Sequence, residues 1–206
     1  MPRILVIAIV LAGILAGAAA ARYSWRAGAT QPGPEQAVLF QSARPLPGFA
    51  LVDHAGRPFG PERLRGQWTF LFFGFVNCPD VCPTTLATLA AARKSLADLP
   101  EAERPAVTLV SVDPGRDTPD VLARYVTHFD PSFTGVTGSE GAIEALTKAL
   151  GVAVIVGPAD GDGNYSVDHT AAIFLVDPQG RLAALFGGPH EAATIARDYR
   201  RVVAGR

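Results

Sequence analysis

Gly74-Phe75-Val76-Asn77-Cys78-Pro79-Asp80-Val81-Cys82-Pro83 is the stretch that decides how the rest of this chain is read. It carries both cysteines of the protein, four positions apart. Ahead of it runs Trp68-Thr69-Phe70-Leu71-Phe72-Phe73, too short an apolar run for a helix and rich in aromatics, which is the pattern of a buried central strand. Behind it, from Thr84 to Leu96, Leu86, Leu89, Arg93 and Leu96 share one helical stripe, and only the arginine interrupts it. The thiols are therefore expected at a strand-to-helix junction. Helix N-terminal N–H groups favour thiolate over thiol, so at least one of the two pKa values is expected to be lowered. A disulfide between such near neighbours closes too small a loop to stabilise much. The location points to chemistry.

The 206-residue chain as a whole sets bounds on that chemistry. A net charge of −1 gives no electrostatic case for binding nucleic acid. Met1 is the sole methionine, which excludes methionine ligation of copper or haem in the mature domain. Ile4 to Ala21 is an unbroken apolar or small stretch of 18 residues, flanked by Arg3, Arg22 and Arg26. Its length suits a single membrane-spanning anchor at the lower limit. A cleaved signal peptide is the alternative, because Ala18 to Ala21 offers small residues for cleavage. Either way the domain is exported. The expected location is the inner membrane, crossed once, with the C-terminal domain facing the periplasm.

The chain divides on this reading into an anchor at 1–25, a linker at 26–42 and one domain at 43–206. The stretch from Ala27 to about Arg44, broken by proline and glycine, reads as the tether. Phe49–Asp53 and Pro58–Phe59 flank a glycine turn and suggest a hairpin. Ala106–Val112 is a second buried strand. Thr118 caps a helix that has Pro119 at its first position, and Ser139 caps another that Gly151 ends. Val152–Val156 reads as a strand. Ala171–Val176 and Arg181–Phe186 flank the turn Asp177-Pro178-Gln179-Gly180. A last helix from Glu191 to Val203 turns Ile195, Tyr199, Val202 and Val203 inward. A hairpin, a βαβ unit, further helices, then a closing hairpin and helix is the order of a thioredoxin-like α/β fold with insertions.

Two thiolates need a further donor to hold a soft metal well, and imidazole is the usual companion. Four histidines are available. His54 falls in a turn, His128 near a helix end and His190 before the last helix, all readable as surface residues. His169 stands immediately before the buried strand that begins at Ala171. In a thioredoxin-like fold that loop approaches the dithiol, so position favours His169. Asp168 either orients the imidazole or caps a turn.

Three blocks make the sequence specific. Phe72 to Pro83, Ser111-Val112-Asp113-Pro114-Gly115-Arg116-Asp117-Thr118-Pro119, and Asp168-His169-Thr170 together resemble the hallmark blocks of the Sco/SenC family, over about residues 43–206. Asn77 departs from that pattern, standing where many relatives carry a histidine that is not a metal ligand. The resemblance implies a membrane-tethered copper protein of thioredoxin fold that assists assembly of the dinuclear copper centre of cytochrome c oxidase. It implies Cys78, Cys82 and His169 as ligands of Cu(I) and Cu(II), with Cys78 and Cys82 also forming a redox disulfide. The expected partners are the copper-centre subunit of the oxidase and other exported copper chaperones or thiol reductants, with the protein itself a monomer. No catalytic residue is expected in the strict sense. The competing reading is a thiol–disulfide oxidoreductase acting on exported copper proteins. Against it, Thr170 stands where dithiol oxidoreductases of thioredoxin type carry a cis-proline. A peroxiredoxin-like peroxidase fits less well, since Asn77-Cys78-Pro79 lacks the required setting.

Overall fold

The computed structural model describes residues 33–161 and 164–205, with residues 11, 13, 14, 16–18, 21 and 22 nearer the N-terminus. The anchor expected at Ile4–Ala21 lies largely outside these residues, and no helix among the described ones is long and apolar enough to cross a membrane. Pro34–Arg206 forms a compact unit of its own. In chain order it contains β1 (Ala37–Pro45), β2 (Leu51–Asp53), β3 (Pro58–Phe59), β4 (Thr69–Gly74), α1 (Val81–Lys94), β5 (Ala106–Ser111) and α2 (Pro119–Phe129). There follow β6 (Thr134–Thr137), α3 (Glu140–Leu150), β7 (Val154–Val156), β8 (Val167–His169), β9 (Ile173–Val176), β10 (Arg181–Phe186) and α4 (Ala192–Ala204).

Eight of these strands form one sheet in the order β1-β10-β9-β4-β5-β6-β2-β3, while β7 and β8 pair separately. β4, β5 and β6 run parallel, and β9 lies antiparallel against the other side of β4. This is the thioredoxin-like α/β arrangement expected from the element order. Every residue of β4 is buried, as a central strand covered on both faces requires. Alternation then splits its side chains between two aromatic clusters. Phe70 meets Tyr199 of α4 at 5.5 Å and Phe186 at 5.7 Å, while Phe73 on the opposite face meets Phe174 at 5.8 Å.

The punctuation residues act as their chemistry dictates. The Thr118 and Ser139 hydroxyls accept the N–H groups of Val121 and Ala142, and Gly151 ends α3 at φ 71°. The two hairpins share one device. Asp53 accepts the N–H groups of Ala55 and Arg57, as Asp177 accepts those of Gln179 and Arg181. Each acid also binds the guanidinium of that arginine. Arg93, the odd residue on the α1 stripe, donates to the Pro105 carbonyl and pairs with Asp130.

The tether reading of residues 37–44 is corrected. Ala37–Pro45 is a strand, antiparallel to β10. It shows no clean alternation because it is an edge strand held by its backbone and by one buried carboxylate. Asp198 of α4, fully buried, accepts the N–H groups of Glu35, Gln36 and Ala37 at 2.9, 2.7 and 3.0 Å.

Candidate metal centre

β4 delivers the chain to the dithiol, and Gly74 makes room for it. A Cβ at Gly74 would lie 2.9 Å from the Cys82 sulfur, 3.0 Å from a Phe72 ring carbon and 3.1 Å from a Leu109 methyl. Only glycine fits there without moving a thiol. Gly74→Ala is accordingly expected to lower stability by about 1–3 kcal/mol through overpacking. It should also weaken metal binding by displacing Cys82, checked by thermal melting alongside metal titration.

Cys82 lies in the first turn of α1 and is fully buried, whereas Cys78 keeps 8% exposure in the preceding turn. The Cys82 N–H donates to the Cys78 sulfur at 3.3 Å, so that sulfur takes a helix-start donor that the Asp80 side chain leaves uncapped. Both cysteines are free thiols. Burial pushes the Cys82 pKa well up, and the hydrogen bond with Cys78 adds to the shift. The lowering expected from the helix start is thus overturned for Cys82. Desolvation of a thiolate at full burial outweighs the partial charge of the helix terminus.

His169 closes β8 and completes the group. Its Nε2 sits 3.2 Å from the Cys82 sulfur. Its Nδ1 lies 3.1 Å from the Thr170 carbonyl, which can only accept, so this nitrogen carries the proton and Nε2 keeps its lone pair. Burial lowers the His169 pKa, which keeps the ring neutral and ready to ligate. Asp168 is exposed, and the orienting role considered for it falls instead to the Thr170 carbonyl. Phe72 and Phe75 flank the imidazole edge-on at 6.1 and 5.8 Å, an apolar collar that the sequence did not single out.

One potential donor atom from each of Cys78, Cys82 and His169 falls within 4.8 Å of the others, the one such metal-competent group among the described residues. The other histidines stand apart from it. His128 is exposed on α2. Two of the three read as surface residues do structural work: His54 Nδ1 accepts the Gly135 N–H at 2.9 Å, and His190 Nε2 donates to the Ala171 carbonyl at 2.7 Å. The Asp113 to Asp117 block also carries contacts that its residue pattern did not reveal. The Asp117 carboxylate accepts the Val76 N–H at 3.1 Å and so holds the cysteine turn.

A thioredoxin-like domain with two thiols and one imidazole at the end of its central strand defines a class of small soft-metal and redox proteins. Within it, residues 41–204 match the SCO1/SenC family model, and the chain belongs to that family. It is 36% identical over 167 residues to the mitochondrial SCO2 homolog of Mus musculus, covering 81% of this chain and 66% of that protein. Among solved structures it resembles Bradyrhizobium japonicum ScoI with copper bound, at 33% identity and TM-score 0.68, covering 77% of this chain and 99% of that one. It also resembles Arabidopsis thaliana ScoI with copper bound, at 29% identity and TM-score 0.73, covering 78% and 98%.

Proposed function

We propose that this protein binds copper through Cys78, Cys82 and His169 and delivers it to the dinuclear copper centre of cytochrome c oxidase. The convergence of two buried thiols and one half-buried imidazole at one point carries the reading, and membership of a family with copper-bound structures supports it. Two thiolates and a neutral imidazole leave a cuprous site with a charge of −1 and a cupric site neutral. Trigonal sulfur and nitrogen ligation suits Cu(I), and a further donor or water completes Cu(II). The apolar segment Ile4–Ala21 would tether the domain to the inner membrane on its periplasmic side. That placement would set the domain beside a membrane-embedded oxidase.

The alternative is a thiol–disulfide oxidoreductase working through the same cysteines. Thr170 weighs against it, since dithiol oxidoreductases of thioredoxin type carry a cis-proline at that place. The deciding experiment is copper titration of the purified full-length protein beside its His169→Ala variant. Loss of the imidazole is expected to weaken Cu(II) binding by more than about 100-fold, beyond what even loss of a ligand-orienting group produces, and to change the cupric spectrum. His128→Ala should bind normally. Unchanged affinity and spectrum in His169→Ala would refute the three-ligand site. In cells, deleting the protein should lower oxidase activity, and added copper should restore part of it. Accumulation of oxidised client thiols without a copper-correctable defect would favour the oxidoreductase.

A further inference from the structure

The three donors sit on two pieces of chain, and the β4–β9 ladder, which pairs Phe72 with Ile173, ties them together only on the C-terminal side of His169. Cys78 lies on the β4–α1 turn and Cys82 in the first turn of α1, while His169 lies on β8, which pairs with β7 outside the main sheet. Hydrogen bonds between Ala153 and Thr170 close that ribbon on itself. The N-terminal side of β8 has no such ladder to β4, so side-chain contacts set where that end of the ribbon stands over the dithiol.

The loop between β5 and α2 reaches both pieces. On one side Asp117, 1% exposed, accepts the Ser111 hydroxyl at 2.6 Å and the Val76 N–H at 3.1 Å, two residues before Cys78. On the other, Asp113, 3% exposed, accepts the Tyr165 hydroxyl at 2.6 Å through one carboxylate oxygen and the Arg116 Nε–H at 2.5 Å through the other. The Arg116 guanidinium lies 3.7 Å from the centre of the Tyr165 ring, and its Nη1 donates to the Tyr165 carbonyl at 3.2 Å. Tyr165 leads directly into β8 and stands four residues before His169. One tyrosine is thus gripped at its hydroxyl, its ring face and its carbonyl. The grip comes from the same short loop that anchors the cysteine turn.

We infer that Asp113, Arg116 and Tyr165 form a latch that registers the histidine ribbon against the dithiol, making Arg116 and Tyr165 positioning residues that set how well the site holds Cu(II) relative to Cu(I). The inference rests on the copper reading above. Its physical basis is the different demand of the two ions. Two thiolates satisfy much of the coordination of Cu(I), whereas Cu(II) depends on nitrogen donors in a defined array. Letting the imidazole drift therefore harms the cupric site first. Tyrosine and arginine suit the task because a planar guanidinium stacks and forks in ways an ammonium does not.

The test uses the full-length protein with Tyr165→Phe, which deletes only the hydroxyl, Arg116→Lys, which keeps the charge, and their double variant. Cu(II) and Cu(I) affinities, the cupric absorption spectrum and the melting temperature are measured for each. Each single variant is expected to lose about 10-fold in Cu(II) affinity and the double about 100-fold, with shifted sulfur-to-copper bands, while Cu(I) affinity changes by less than about threefold. Wild-type Cu(II) affinity and spectrum in the double variant would overturn the latch. So would parallel losses for both ions that track a fall in melting temperature, since that is the signature of a merely structural contact. If the unmodified protein binds neither ion, the copper reading itself fails and the latch falls with it.

Discussion

Cys78→Ser and Cys82→Ser are each expected to abolish retention of copper after desalting, a loss of at least about 10³-fold or about 4 kcal/mol. Each substitution replaces a soft, anionic donor with a neutral hydroxyl that cuprous ion binds poorly. The same logic ties metal to redox state. A disulfide between Cys78 and Cys82 consumes both thiolates, so chemically oxidised protein should bind no copper until it is reduced. Bound copper should in turn shield both sulfurs, and alkylation followed by peptide mapping should find them modified in the reduced apo protein and protected in the loaded one. Because burial raises the Cys82 pKa, copper must displace a proton there at neutral pH, and affinity should therefore rise with pH. Equal binding by oxidised and reduced protein would show that the thiolates are not the ligands.

Asp198→Ala is expected to lower stability by about 3 kcal/mol. It removes the common acceptor of the Glu35, Gln36 and Ala37 N–H groups and a buried partner of Arg201. For a domain of this size that corresponds to a fall of about 6–12 °C in melting temperature. Hydrogen exchange should localise the effect, with the amides of residues 35–37 gaining exchange far more than those of β4. Asp198→Asn should fall between, because its amide keeps one acceptor and turns a donor toward the same N–H groups. A melting temperature within a degree or two of the parent in Asp198→Ala would show that ladder pairing alone holds β1.

The parts of this fold that were legible in sequence are those whose cause is local. Phe70 to Phe73 announce a strand buried on both faces. Thr118, Ser139 and Gly151 mark helix ends through backbone geometry that those residue types favour, and the Asp-Gly turns mark the hairpins. The dithiol was equally plain. What stayed hidden depends on partners distant in sequence. β1 bears exposed and half-buried residues without alternation, since its hold comes from Asp198, 161 residues beyond Ala37. An acid set between Ile195 and Tyr199 on the inward stripe of the last helix was the available signal. Likewise Arg116 and Asp117 stood out only as members of a sequence block and Tyr165 not at all, and their roles come from meeting the cysteine turn and the histidine ribbon. The raised Cys82 pKa was not legible because a helix start is visible in sequence while the depth of burial is not.

The two outer strands of the sheet also bear on how the molecule behaves in a crowd of its own kind. β3 is two residues long and begins with Pro58, which has no N–H to offer a neighbour. β1 is longer and leaves Val38 and Leu39 exposed, but its register with β10 breaks between Leu39 and Arg44. A second chain approaching either side meets no long, straight row of free donors and acceptors. Lateral growth of the sheet, the ordinary route from an open β-edge to aggregation, is blunted by the short proline-led β3 on one side and by the register break in β1 on the other.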